Sequence, residues 1–301
     1  MLGNDMFEKV FSLPSFTKTW HNKSYPAISP TNPSLSAKGK SIIITGGGTG
    51  IGAAIALSFA KAGATFIGLI ARREDRLQAS AAAILEIAPL TKVQYEIAGI
   101  TDSDALDKAF KSLASSSGGK LDILVANAAY MTIPISILTA DPTTWWLTLE
   151  TNVKGTFNSI RSFVPLAAKS SLVINISSAA GHVPASVGGA GGLSAYVTSK
   201  IAGAKMVEYL GAEGRESGIR GVNVQPGLVE TEMGKKNEGA VWMDSVDLPG
   251  DFCVWLASEE AEFLNGRYVW ANWDVEELKE RKGEILGGAG LLTLSLEGIK
   301  V

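Results

Sequence analysis

Short apolar runs alternate with stretches of helical periodicity through most of the chain. The runs occupy residues 41–45, 64–70, 92–97, 121–126, 172–176, 218–224 and 267–271. Such alternation is typical of βαβ units, in which parallel strands form a sheet and helices cover both of its faces. The pattern therefore predicts an α/β fold with a doubly wound sheet of about seven parallel strands, all within one domain.

The two ends of the chain do not follow this alternation. Residues 1–40 contain prolines among serines, threonines and asparagines, which disfavours regular helix or strand. Residues 274–282 are charged and helix-prone, and residues 291–296 fit either one further strand or an oligomer contact. We therefore divide the chain into an N-terminal extension (1–40), a single domain (41–273) and a C-terminal extension (274–301). Aromatic side chains predict that the first extension packs on the domain or on a second subunit: Phe7, Phe11, Phe16, Trp20 and Tyr25.

A glycine-rich loop directly follows the first predicted strand. Residues 45–52 read T-G-G-G-T-G-I-G and lead into an alanine-rich helical pattern. Glycine allows backbone angles that a Cβ forbids, and it lets backbone N–H groups approach an anion at the positive end of a helix. The loop therefore predicts a dinucleotide phosphate site in a Rossmann-like sheet, with a plain tight turn as the alternative. The candidate cofactor-binding residues here are Gly46, Thr49, Gly50, Ile51 and Gly52.

Composition narrows the class of protein. The 301 residues are 46% hydrophobic and carry a net charge of −3, so no basic excess indicates a nucleic-acid partner. No apolar run reaches the about 18 residues of a membrane span. A single cysteine, Cys253, excludes an internal disulfide and fits a reducing compartment, which predicts a cytoplasmic protein. His21 and His182 lie far apart in the sequence, so no metal site is expected.

The end of the second predicted strand bears on the choice of nicotinamide cofactor. An acidic residue there would bind the ribose 2′-hydroxyl of NAD and repel a 2′-phosphate, whereas arginine complements that phosphate. The chain has Ala71 followed by Arg72. Arg72 therefore favours NADPH over NADH. The alternative is that Arg72 and Arg73 are only the solvated start of a helix.

A second cluster of polar residues predicts catalysis. Ser178 closely follows the strand at 172–176, and Tyr196 and Lys200 are four positions apart in a predicted helix that starts near Ser194. Tyr196 and Lys200 therefore share one face of the helix, and we place this face beside a buried stripe of the same helix. A tyrosine has an ordinary pKa of about 10, and a nearby ammonium and an oxidised nicotinamide would lower it, so Tyr196 could pass a proton to a carbonyl oxygen. An amphipathic surface helix is the alternative. The predicted buried stripe comprises Val197, Ile201 and Ala204.

Taken together, these motifs resemble the short-chain dehydrogenase/reductase family, in its branch with the Tyr-x-x-x-Lys motif. The resemblance covers about residues 40–273. Its motifs occur in the family's order: T-G-G-G-T-G-I-G at 45–52, N-A-A at 127–129, N-V-K-G at 152–155, I-S-S at 176–178, Y-V-T-S-K at 196–200 and Q-P-G at 225–227. The tail at 266–274 and the long N-terminal extension resemble reductases of filamentous fungi, often linked to secondary metabolism.

The resemblance implies a role for each matching residue. Ser178 would polarise the substrate carbonyl, and Tyr196 would be the proton donor. Lys200 would lower the tyrosine pKa and hold the nicotinamide ribose, and Asn152 would seat a water that relays protons to Lys200. Asn127 would stabilise the central sheet beside the cofactor. Further cofactor contacts are implied for Ile51, Val229 and Thr231.

The chain also departs from the family pattern. Gly99 stands where an Asp near the adenine is usual, which puts that contact in doubt. Ala126 and Ala129 replace the outer residues of N-N-A-G. The interval from Ser178 to Tyr196 is lengthened by G-G-A-G-G at 188–192, which predicts an altered substrate cleft beside intact proton chemistry.

The resulting hypothesis is an NADPH-dependent ketoreductase that acts on an apolar carbonyl compound. Met233, Trp242 and Met243 favour an apolar ligand, with ordinary packing as the alternative. The same site working oxidatively on a secondary alcohol is a second hypothesis, and a cofactor-binding protein without turnover is a third. The resemblance also implies a homo-oligomer, a dimer or tetramer, formed through helices on the flank of the sheet.

Overall fold

The computed structural model describes residues 15–184, 191–238 and 240–296. Within these residues, seven strands form one parallel sheet in the order β3-β2-β1-β4-β5-β6-β7. This order confirms the predicted doubly wound α/β fold, because the chain builds outward from β1 in both directions. The strands are β1 (Ser41–Thr45), β2 (Phe66–Ala71), β3 (Lys92–Ile97), β4 (Leu121–Ala126), β5 (Ala167–Ile176), β6 (Ile219–Gln225) and β7 (Tyr268–Trp270).

Helices connect the strands. In chain order the α-helices are α1 (Gly50–Lys61), α2 (Glu74–Ile87), α3 (Ser103–Ser117), α4 (Pro142–Leu149), α5 (Gly155–Phe163), α6 (Ser194–Glu213), α7 (Asp247–Leu256), α8 (Val275–Glu280) and α9 (Lys282–Gly287). A π-helical turn, Glu150–Lys154, joins α4 to α5. The Asp141 side chain accepts a hydrogen bond from the Thr144 N–H and Pro142 takes the first helical position, so these two residues fix the start of α4.

Both faces of the sheet are covered. Along β1, Ile42 and Ile44 belong to a buried cluster with Phe59 of α1, whereas Ile43 belongs to a second cluster with Phe110 of α3. Successive side chains of a strand point to opposite faces, so a strand of consecutive isoleucines supplies both clusters. Each fully buried side chain of this size contributes roughly 1.5–3 kcal/mol. The continuous apolar runs in the sequence are therefore explained by burial on two sides.

Two predictions about strands need correction. The structure begins β5 at Ala167, before the apolar run at 172–176, because backbone pairing with β4 continues through exposed polar residues and an irregular register. The strand alternative for residues 291–296 is wrong. This segment forms turns beside β7, where Arg267 Nη1 donates to the Leu291 carbonyl (2.9 Å) and the Tyr268 N–H donates to the Leu292 carbonyl (2.7 Å).

The described part of the N-terminal extension packs on the domain. The Phe16 and Trp273 rings lie 5.6 Å apart between centroids, and Trp20 meets Trp270 edge-on at 5.6 Å. The Tyr25 hydroxyl donates to the Trp273 carbonyl at 3.0 Å. Because these aromatic side chains bury apolar area against the end of the sheet, the proline-rich segment is held without regular secondary structure.

Some predictions lie outside the described residues. They concern Phe7 and Phe11 and the first part of the insertion at 188–192. Among the helices that the structure describes, none is long and apolar enough to span a bilayer.

Candidate active site

The glycine loop forms a backbone cradle at the start of α1. Gly46 has φ +68°, and a Cβ on it would lie 2.8 Å from Asn127 Nδ2. A Cβ on Gly52 would lie only 2.3 Å from the Gly46 carbonyl oxygen. Thr49 precedes the helix without a side-chain cap, so the N–H groups of the first turn at Gly50 and Ile51 face outward at the positive end of the helix. The cradle therefore fits the pyrophosphate of a dinucleotide.

Asn127 joins the ends of two central strands. Its Nδ2 donates to the carbonyl oxygens of Thr45 (3.0 Å) and Gly46 (3.2 Å), and its N–H donates to Thr45 Oγ1 (3.1 Å). These bonds tie β4 to β1 at the point where the glycine loop begins. The side chain thus supports the cradle from below, where the sequence expected it to stabilise the sheet.

Arg72 lies at the carboxyl end of β2 with its guanidinium exposed. Within the part of the chain that the structure describes, it has neither an ion pair nor a hydrogen bond. Its neighbours differ: Arg73 Nη2 pairs with Glu232 at 2.9 Å, and Arg76 pairs with the same carboxylate at 3.2 Å. Arg72 is therefore the arginine of this group that is available to an added anion.

Gly99 explains how Arg72 is placed. A Cβ at Gly99 would lie 3.8 Å from Arg72 Cδ, so the aliphatic stem of the arginine passes directly over this glycine. An aspartate at this position would place a carboxylate beside the guanidinium and compete with a bound anion. Gly99, which stands where the family usually has an acid, therefore leaves the Arg72 guanidinium without a competing carboxylate at this position.

Ser178, Tyr196 and Lys200 meet at the carboxyl end of β5. Ser178 follows the strand, and α6 carries the other two side chains. Lys200 Nζ lies 5.6 Å from the centre of the Tyr196 ring and donates to the Ile176 carbonyl at 2.7 Å. The Ser178 side chain is near enough to the Tyr196 phenol to lower its pKa. The structure therefore brings together the three residues that the sequence predicted to act together.

Burial sets the ionisation of this group. It raises the pKa of Tyr196 to about 12, and hydrogen bonding to Ser178 offsets only part of the effect. It also lowers the pKa of Lys200 to about 8, because the ammonium loses its hydration. In the protein alone, burial outweighs the effect of Ser178 on the Tyr196 pKa. The expectation that Lys200 and an oxidised nicotinamide together lower this pKa stays a prediction.

The buried face of α6 differs from the predicted stripe. Ile201 is 39% exposed and Val197 is half-buried, and of the three predicted residues only Ala204 is buried. The helix instead buries small or polar side chains, because it packs closely on the sheet and keeps Lys200 under the tyrosine. The buried positions are Ala195, Ser199, Lys200, Gly203, Ala204, Val207 and Gly211.

Asn152 lies in the π-helical turn, which aims it toward α6. Its Oδ1 accepts from the Tyr130 N–H (2.7 Å), and its Nδ2 donates to the Tyr130 carbonyl (2.8 Å) and to Ser199 Oγ (2.9 Å). Its backbone carbonyl accepts from Thr156 Oγ1 at 2.7 Å. The side-chain amide therefore holds the loop after β4 against α6.

The loop after β6 crosses the cradle. Thr231 Cγ2 lies 3.3 Å from the position of a Cβ on Gly50, which places Thr231 over the start of α1. Val229 is buried and pairs with Asp244 in an isolated bridge. The Trp242 ring packs on Gly234, where a Cβ would lie 2.3 Å from Cη2, so the packing interpretation is favoured for this tryptophan.

An apolar cleft of about 690 Å³ is lined by sequence neighbours of Ser178 and Tyr196, although neither of these two side chains lines it. The Gly192 carbonyl, at the described end of the insertion, accepts a hydrogen bond from the Ile135 N–H at 2.9 Å. The insertion therefore contributes to the wall of this cleft. Other residues that line the cleft include Pro134, Ile137, Ala180, Val183, Val197 and Ile201.

Sequence reasoning missed several residues near the site. His182 Nε2 accepts from the Trp270 indole N–H at 3.1 Å, and burial lowers the pKa of His182 to about 4. Glu232 gave no signal beyond its place after Thr231, because its two arginine partners lie far away in sequence. Across the described residues, no group of three or more His, Cys, Asp or Glu side chains is arranged to hold a metal ion.

The chain is similar to known proteins along most of its length. The family model described as short chain dehydrogenase matches residues 40–241. A short chain dehydrogenase of Monascus purpureus is 34% identical over 289 residues, covering 91% of this chain and 96% of the relative. A short chain dehydrogenase/reductase of Claviceps purpurea is 34% identical over 289 residues, covering 95% of each chain. The L-sorbose reductase of Gluconobacter frateurii, solved with NADPH and L-sorbose, has a TM-score of 0.68 and 26% identity, covering 79% of this chain and 96% of that one.

Proposed function

Since the chain belongs to the short-chain dehydrogenase/reductase family, we propose that it is an NADPH-dependent carbonyl reductase that acts on an apolar ketone or aldehyde. Family membership makes it an NAD(P)-dependent oxidoreductase. The observation that carries the finer proposal is the meeting of Ser178, Tyr196 and Lys200 at the end of β5. The fungal relatives favour a role in secondary metabolism.

The proposed mechanism assigns one task to each side chain. The Ser178 hydroxyl donates a hydrogen bond to the substrate carbonyl oxygen and polarises it. The Tyr196 hydroxyl transfers its proton to the same oxygen as the carbon is reduced. Lys200 supplies a positive charge beside the phenolate that Tyr196 becomes. NADPH, when bound, supplies the hydride.

The cofactor would lie along the carboxyl edge of the sheet. The glycine cradle would hold its pyrophosphate, and Arg72 would pair with the 2′-phosphate. Asn152 and Asn127 would keep the surrounding loops in place, and Lys200 would bind the nicotinamide ribose. The remaining proposed cofactor contacts are Gly46, Thr49, Gly50, Ile51, Gly52, Tyr196, Val229 and Thr231.

Two observations favour reduction with NADPH over the alternatives. The unpaired Arg72 guanidinium offers a charge-assisted partner for a 2′-phosphate. A phenol with a pKa of about 12 stays protonated at neutral pH and can act as an acid, whereas oxidation of an alcohol needs the phenolate.

The pH dependence of reduction follows from these ionisations. Lys200, with a pKa lowered to about 8, loses its charge as the pH rises through 8, while Tyr196 stays protonated. We expect kcat for carbonyl reduction to be level from about pH 6.5 to 7.5 and to fall about tenfold per pH unit well above 8. Steady-state rates at saturating NADPH measure this.

The control for that profile is Lys205→Met. Lys205 Nζ pairs with Glu208 at 2.6 Å on the same helix, away from the tyrosine. This variant should keep the alkaline decline. A reduction rate that instead rises between pH 8 and 10 would indicate that the phenolate is the active form and would contradict the proposed proton transfer.

We also propose that the chain forms a homo-oligomer through the flank that carries α4 and α5. Trp146 is 62% exposed, Leu147 44% and Phe157 50%, and together they leave an apolar face on this flank. We expect Trp146→Glu to lower the molar mass in light scattering by at least half at micromolar concentration, because a charge would be buried in the contact. Leu90→Glu is the control, since Leu90 is 99% exposed on a distant turn. A monomeric unmodified protein would refute the proposal.

A further inference from the structure

The segment after β6 spans the cofactor cradle from one side to the other. We call residues 228–238 and 240–244 the crossing loop. Thr231 lies over Gly50, as described above, and on the opposite side Lys236 Nζ donates to the Met131 carbonyl at 2.8 Å. Lys236 also lies 4.7 Å above the ring of Tyr130. The position of the crossing loop therefore decides how open the cradle is.

Asp244 closes the base of the crossing loop. Its Oδ2 accepts from the Leu228 N–H at 2.5 Å, so the two ends of the loop are bonded to each other. Its Oδ1 accepts from Asn22 Nδ2 at 2.7 Å and from Asn272 Nδ2 at 3.0 Å. The Ser245 N–H donates to the Asn22 carbonyl at 2.8 Å. Asn22 is thus hydrogen-bonded to the base of the crossing loop through both its side chain and its backbone.

The same part of the N-terminal extension reaches the catalytic serine by a second route. We call residues 18–25 the N-terminal strap. Trp20 packs edge-on against Trp270, whose indole N–H donates to His182. His182 belongs to the turn that follows Ser178. The strap therefore contacts the crossing loop directly, and it is linked to the segment behind the catalytic serine through Trp270.

The strap is itself fixed to the end of the sheet. Asn272 Nδ2 donates to the His21 carbonyl at 2.8 Å, and the His21 N–H donates to the Asn272 carbonyl at 2.8 Å. His21 Nε2 lies 2.8 Å from Asp274 Oδ2. Because Asn272 is buried, these bonds give the strap a rigid support against which it can hold the loop.

We infer that Asn22 and Asp244 are positioning residues, through which the N-terminal strap holds the crossing loop over the cofactor cradle. The strap thereby belongs to the active-site structure, although Asn22 lies 222 positions before Asp244 in the sequence. The inferred effect of the strap on NADPH binding rests on the proposed function. The inferred effect of the strap on the crossing loop is independent of the proposed function.

Two measurements on Asn22→Ala test this inference. Trypsin cleavage after Lys235 and Lys236, followed by mass spectrometry, reports how firmly the loop is held, since both lysines are exposed within it. We expect cleavage there to accelerate about tenfold or more, the scale of one lost hydrogen bond to a charged group. The Kd for NADPH, measured by fluorescence titration, should rise by a similar factor, while kcat at saturating NADPH stays within about twofold.

Asn32→Ala is the matched control. Asn32 lies in the same extension, and among the described residues its side chain accepts only from the Ser34 N–H and hydroxyl groups. This variant should behave as the unmodified protein in both measurements. Asn22→Asp should exceed Asn22→Ala in both, because it places a second carboxylate against Asp244.

The inference is overturned if Asn22→Ala and Asn22→Asp match Asn32→Ala in cleavage rate at Lys235 and Lys236. It is also overturned if cleavage accelerates equally at tryptic sites throughout the chain, since that would report general unfolding. If the unmodified protein reduces no carbonyl compound, the proposed function fails while the cleavage measurement still decides the role of the strap.

Discussion

Replacing Tyr196 by phenylalanine is expected to lower kcat for carbonyl reduction by about 1,000-fold, the usual scale for loss of a positioned general acid. The phenol is the group that passes a proton to the substrate oxygen, and its pKa of about 12 keeps that proton in place across the neutral range. Phenylalanine fills nearly the same volume, so the surrounding packing should persist. Loss of NADPH absorbance against a panel of ketones and aldehydes measures the effect.

Binding and stability distinguish a catalytic from a structural cause. The Kd for NADPH and the melting temperature of Tyr196→Phe should both stay close to those of the unmodified protein. Tyr209→Phe is the control, because Tyr209 lies on the same helix and is 60% exposed. If Tyr196→Phe keeps more than about a tenth of the activity, the assignment of Tyr196 as proton donor is wrong.

Replacing Arg72 by aspartate should reverse the choice of cofactor. The change removes the cation that we assign to the 2′-phosphate and puts a like charge in its place, which together cost about 3 kcal/mol or more. We expect KM for NADPH to rise about 100-fold and KM for NADH to change less than threefold. The ratio of kcat/KM for the two cofactors, measured with one carbonyl substrate, gives the result.

Arg215→Asp is the control for the change in net charge. Arg215 is exposed in the connection between α6 and β6, at the opposite edge of the sheet from the cofactor cradle. It should leave the cofactor ratio unchanged. If the Arg72→Asp protein still prefers NADPH by the original factor, another cationic side chain binds the 2′-phosphate. Arg76 would then be the first residue to test.

The sequence determined the frame of the site because its signals are local. Uninterrupted apolar runs require strands buried on two faces, and all seven predicted strands are present in one parallel sheet. Glycines at 46 and 52 are demanded by close backbone contacts, and the spacing of Tyr196 and Lys200 fixes them on one helix. Each of these inferences depends on neighbours a few residues away.

Only the tertiary structure decided the rest, because the deciding contacts join distant parts of the chain. The predicted stripe through Ile201 was wrong, since close packing of α6 on the sheet selects small side chains over large apolar ones. The raised pKa of Tyr196 follows from burial, which spacing does not report. Asn22 and Asp244 carry no motif and meet only after folding, when the strap and the crossing loop arrive at the same edge of the sheet.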